Sequence, residues 1–143
     1  MTAAEEGALY KNRAQRKQAA EGLYEAAQNG AKALDEGDAA AYLSTLEARE
    51  KLIERMDALE AAYAAAKAGA SESARAALEG LEEETRQLLR NVRAADGAAR
   101  EKAKALMEEY RGKLKSLKKS GKQVTGYTKM YRQSDGIYID KKR

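Results

Sequence analysis

The sequence predicts an all-α protein: an antiparallel bundle of three long helices with an irregular C-terminal tail. Three observations predict it. No proline occurs in the 143 residues, so nothing removes a helical N–H or clashes with the preceding turn. Alanine is the commonest residue, and Leu, Glu, Lys, Arg and Gln supply much of the rest; these are the strongest helix formers. Strand formers are scarce, since the only valines are Val92 and Val124 and there is no Phe or Trp. The length suits one domain.

The breakpoints fall at stop-and-start chemistry. LDEGDAA carries Gly37, a good C′ residue, followed by Asp38, a good N-cap. KAGASESA carries Gly69 and then Ser71. KKSGKQ, around Ser120 and Gly121, ends the third periodic segment. The predicted helices span 3–35, 39–68 and 72–118, so residues 1–118 form the bundle and 119–143 a basic, tyrosine-rich tail. Both connections are short, which makes consecutive helices antiparallel.

At 100° per residue each helix shows its face. In helix 1, Leu23, Ala27, Ala31 and Leu34 agree in phase, with Tyr24 at the edge and Leu9 further back. Arg13 and Arg16 interrupt that stripe, so the first turns are expected to fray. Helix 2 has a wider face, with Leu52, Met56, Leu59, Tyr63 and Ala66 in one stripe and Tyr42, Leu46 and Ile53 beside it. Arg49 also falls on its apolar side, where a long stem lies on the core and the head finds a carboxylate or water. In helix 3, an arc from Ala74 through Leu88, Leu89 and Val92 to Leu117 keeps its phase across Asp96-Gly97. One continuous helix is therefore expected, with a break at Asp96-Gly97 as the alternative. The stripe reads as 3.6 residues per turn, which argues against a plain coiled-coil scaffold.

Helices 1 and 2 are each roughly 45 Å long and helix 3 roughly 70 Å, at 1.5 Å per residue. Two shorter helices leave the far end of the longer one bare. The side chains there are Leu106, Met107, Tyr110, Leu114 and Leu117. Each is worth about 1.5–3 kcal/mol when covered, so they are the candidate client-binding residues. A helix-in-groove partner, the tail or a second copy in a homodimer would each cover them.

The tail offers a second set. Val124, Tyr127 and Tyr131 share a helical face with Met130 adjacent, while Ile137 and Ile139 alternate with Tyr138 as in an extended segment. These seven residues are the candidate docking elements of the tail. Charge is uneven: eleven Lys and Arg stand against Asp135 and Asp140 from residue 111 onward, a surplus of nine cations. With +4 in total, the first 110 residues carry −5.

The absences exclude several chemistries. Without Cys there is no disulfide framework, thiolate zinc site or thiol nucleophile, and without His no imidazole base or ligand. The carboxylate runs Glu82-Glu83-Glu84 and Glu108-Glu109 read as solvated helix faces. No enzyme activity, cofactor, metal or small-molecule substrate is expected. The first residues lack the apolar core of a signal peptide, and no stretch approaches a membrane span, so a cytoplasmic location is expected.

One long segment, NGAKALDEGDAAAYLSTLEAREKLIERMDAL, resembles the flagellar type III export chaperones of the FlgN/FliT-like family. The resemblance rests on Gly37 and Asp38 at the turn, then Leu43, Leu46, Arg49, Leu52, Ile53, Met56 and Leu59. The ending SDGIYIDKKR is similar to the close of Gram-positive members. The resemblance implies a cytoplasmic, non-enzymatic chaperone. It would bind a helical terminal segment of a hook–filament junction or filament-cap protein and deliver it to the export gate. The alternative reading is a helical protein that binds nucleic acid or an anionic surface through KLKSLKKSGK, with Tyr127 and Tyr131 available to stack on bases.

Overall fold

The structure, a computed structural model, describes residues 1–119. Helix α1 spans Ala3–Glu36, α2 Ala39–Ala66 and α3 Glu72–Lys119, with a short 3-10 turn at Lys67–Gly69 between the last two. The fold is the predicted helical bundle. Helix α3 runs unbroken through Asp96-Gly97.

Each boundary has a local cause. At the end of α1 the Gly37 N–H donates to the Leu34 carbonyl (3.2 Å) and the Asp38 N–H to the Ala33 carbonyl (2.9 Å). This Schellman pair needs a left-handed residue, and Gly37 supplies it with φ 67°. The Asp38 carboxylate then accepts the Ala41 N–H at 3.0 Å, capping α2. The Ser71 hydroxyl accepts the Ala74 N–H at 3.2 Å and starts α3. Gly69 differs from its expected role: the 3-10 turn closes on Ala70, whose backbone is extended.

The chain divides into two compact units. The first comprises Met1–Glu25 and Arg49–Arg93. In it, Leu9 of α1 meets Tyr63 of α2 and Leu78 of α3, together with Ala70 from the connection. The second comprises Ala26–Ala48 and the chain from Ala94 onward. Its core is a cluster of Ala33 and Leu34 from α1, Tyr42 and Leu46 from α2, and Ala103, Leu106, Met107 and Tyr110 from α3. In both units an early part of one helix meets a late part of the next, as antiparallel neighbours must. Gly30 of the second unit is buried, and a Cβ there would stand 3.1 Å from the Thr45 hydroxyl, so α1 and α2 approach closely at that point.

One sequence expectation changes. The first turns of α1 do not fray; they form helix from Ala3, and Leu9 is buried. The buried residues of α3 (Leu78, Thr85, Val92, Ala103, Leu106, Met107 and Tyr110) fall within an arc of about 100° at 3.6 residues per turn.

Candidate functional site

The five candidate residues near the end of α3 separate into two groups. Leu106 and Met107 are each 8% exposed and Tyr110 5%. All three belong to the second unit's cluster, against Leu34, Tyr42 and Leu46. The expectation that they lie bare is therefore overturned. Helix lengths mislead here because the α1–α2 turn and the first residues of α2 also provide cover. Ala39, Ala41 and Leu43 pack on the cluster, and the Tyr110 hydroxyl donates to the Gly37 carbonyl at 2.8 Å. The exposed Lys102 ammonium pairs with Asp35 beside that turn.

Leu114 and Leu117 continue the same stripe, are half-buried and lie outside the cluster. Around them Arg111, Lys113, Lys115 and Lys118 are exposed. Arg111 pairs with Glu108 at 3.2 Å and Lys113 with Glu109 at 3.3 Å, within the helix. Val124, Tyr127, Met130, Tyr131, Ile137, Tyr138 and Ile139 lie outside the described residues.

Sequence reasoning missed a polar centre in the first unit. Arg13, read as an interruption, is 2% exposed. Its Nη1 donates to Glu60 (2.8 Å) and Glu82 (3.3 Å), while Nε and Nη2 donate to the Asn12 side-chain oxygen at 3.2 and 2.8 Å. The guanidinium lies over the Tyr63 ring, 3.6 Å from its centroid. Asn12 donates in turn to the Leu59 carbonyl at 2.9 Å. A planar guanidinium suits this work better than an ammonium, because it stacks on a ring while its edge donates in a fixed fork. The Arg13 hydrogen bond holds the Glu60 carboxyl below the usual carboxylate range, and burial pushes the Tyr63 phenol up. One signal was present: Arg13 leads the seven-residue series Ala20, Ala27 and Leu34, all of them buried. Thr85, 1% exposed, is a quieter case in which the hydroxyl donates to the Leu81 carbonyl of its own helix at 2.9 Å.

The carboxylate runs meet cations. Glu82 pairs with Arg13, Glu83 with Arg86 and Arg90, and Glu84 with Lys17. A cleft of about 370 Å³ beside Tyr63 is rimmed by Lys67, Arg75, Glu79 and Glu82. Its two cations and two carboxylates give it no net charge with which to select an ion. Among the described residues no group of His, Cys, Asp or Glu could hold a metal ion, and no helix is long and apolar enough to cross a membrane. Comparison of the chain with protein-family models, with curated proteins and with solved structures returns no match.

Proposed function

We propose that this chain is a flagellar export chaperone of the FlgN/FliT-like kind, a cytoplasmic and non-enzymatic binding protein. Its client is a helical terminal segment of a hook–filament junction or filament-cap protein, which it passes to the export gate. One observation carries the reading. The apolar stripe of α3 continues beyond the cluster that ends at Tyr110, through half-buried Leu114 and Leu117. An amphipathic client helix recognises such a stripe by laying its own apolar face along it. Leu106, Met107 and Tyr110 are buried in that cluster and anchor the stretch of α3 that precedes these two leucines.

The resemblance segment adds support at residue level. Gly37 and Asp38 form the turn by the capping chemistry described above, and Leu46, Arg49 and Met56 face inward. Ile53 is 37% exposed and Leu52 half-buried, so this pair also has area to offer a partner.

The test is co-expression of the full chain with hook-junction and filament-cap proteins of the same cell. A stable complex is expected with at least one of them. Substituting Leu114→Asp together with Leu117→Asp weakens that complex by about 100-fold, as loss of a central apolar anchor does, with the thermal midpoint of the free chaperone unchanged. Failure of every such protein to bind, or equal affinity in the double variant, overturns the proposal.

A further inference from the structure

The end of α3 carries a charge pattern that client binding does not use. Between Arg111 and Ser134 the chain holds eight Lys and Arg and no Asp or Glu. Six of the eight are lysines. Within the described part, Lys113, Lys115 and Lys118 are exposed. At 100° per residue, Lys113 falls about 40° to one side of Leu117, and Lys118 about 40° to the other side of Leu114. The two leucines thus form a narrow apolar strip with an ammonium on each flank. Such a strip suits the boundary between lipid headgroups and acyl chains: the leucines enter the apolar side while the lysine stems reach back to the phosphates.

We propose that the C-terminal end of α3 is a binding surface for anionic lipid, with Leu114 and Leu117 at the acyl boundary and Lys113, Lys115 and Lys118 on the headgroup phosphates. Two features favour lipid over nucleic acid. Sequence readers of nucleic acid rely on the planar fork of Arg, whereas a lysine-rich run acts as a set of point charges. In the sequence after Lys119 the cations are interspersed with Val124, Met130, Ile137 and Ile139; apolar side chains of this kind have acyl chains to enter in a bilayer and little to gain from a phosphate backbone. The negative balance of the first 110 residues is repelled by the same surface, which directs contact to this end. The inference rests on charge and periodicity and does not need the client reading.

The test is flotation of the full chain with vesicles of phosphatidylglycerol and phosphatidylcholine, against vesicles of phosphatidylcholine alone. Binding is expected to the anionic vesicles only, and it weakens as salt rises. Each lysine near such a surface is worth roughly five-fold, so the triple variant Lys113→Gln, Lys115→Gln, Lys118→Gln loses about 100-fold. Leu114→Ser loses about ten-fold at unchanged charge, because its apolar area no longer leaves water. Absence of binding to anionic vesicles overturns the inference, as does undiminished binding by the triple variant. Tighter binding to duplex DNA or RNA than to the vesicles overturns it in favour of a nucleic-acid surface. A chain that floats with vesicles yet binds no client keeps this inference and discards the chaperone.

Discussion

In the unit of residues 1–25 and 49–93, the three helices meet both at the apolar cluster of Leu9, Tyr63, Ala70 and Leu78 and around a guanidinium with the Tyr63 ring against it and two carboxylates at its edge. In the unit of residues 26–48 and from 94 onward, the corresponding place holds leucine, methionine, tyrosine and alanine. The difference is one of information. Apolar side chains accept any neighbour of suitable volume, so a cluster of them stabilises without dictating which turn faces which. Arg13 is satisfied only when Glu60 and Glu82, 47 and 69 residues away in the chain, arrive at its edge together. A buried ionic group of that kind is a device for register, and we take that as its role here.

The comparison breaks most clearly at Arg13. Arg13→Ala removes the stem, the ring contact and both ion pairs. Breaking a buried pair costs 3–5 kcal/mol, and because the Glu60 and Glu82 side chains are 48% and 23% exposed, we expect about 3 kcal/mol in chemical denaturation. Arg13→Met, which keeps most of the volume, is expected to lose much less. A loss under about 1 kcal/mol for the alanine variant would mean that the centre is not structural.

Acid separates the two units next. The carboxyl groups of Glu60, Glu79, Glu83 and Glu6 are all held below the usual range. The causes are hydrogen bonds from Arg13 to the first, from Arg86 to the next two, and from the Ser71 N–H to the last. A carboxylate whose pKa falls on folding stabilises the fold above its unfolded value, and that contribution is lost as pH drops through the folded value. All four belong to the first unit. Amide exchange compared at neutral pH and at about pH 3, below the unfolded carboxylate range, should show protection falling first in residues 1–25 and 49–93. Earlier loss in the second unit would contradict this assignment.

The smallest effect is expected at Tyr110. Tyr110→Phe keeps the ring in the apolar cluster and removes the hydroxyl that donates to the Gly37 carbonyl. Since Gly37 is exposed, water replaces the donor, and the cost is about 1 kcal/mol or less. A loss of several kcal/mol would show that the turn depends on that hydroxyl far more than a neutral hydrogen bond allows.

Helix boundaries were legible in the sequence because caps are local. Gly37, Asp38 and Ser71 act on residues three to five positions away, and the expected limits from the start of α1 to the start of α3 lie within two residues of those observed. The tertiary cover of α3 was not legible, because it depends on where the α1–α2 turn sits and not on helix length. That is why Leu106, Met107 and Tyr110 moved from candidate surface to core while Leu114 and Leu117 did not. Arg13 escaped for a related reason. A charge in an apolar stripe is readable, but its partners lie on two other helices, and only the seven-residue spacing to Ala20, Ala27 and Leu34 marks it as inward.

Among the described residues, each of the two bends between helices makes a hydrogen bond with a side chain of the helix that does not form it. The Tyr110 hydroxyl grips Gly37, and the Glu6 carboxylate accepts the Ser71 N–H at 3.0 Å. Local opening of either bend therefore breaks a contact to the remaining helix. A nick at residues 37–38 or 69–71 would report how often that contact opens, so digestion at these two places is a gauge of the bends' local stability.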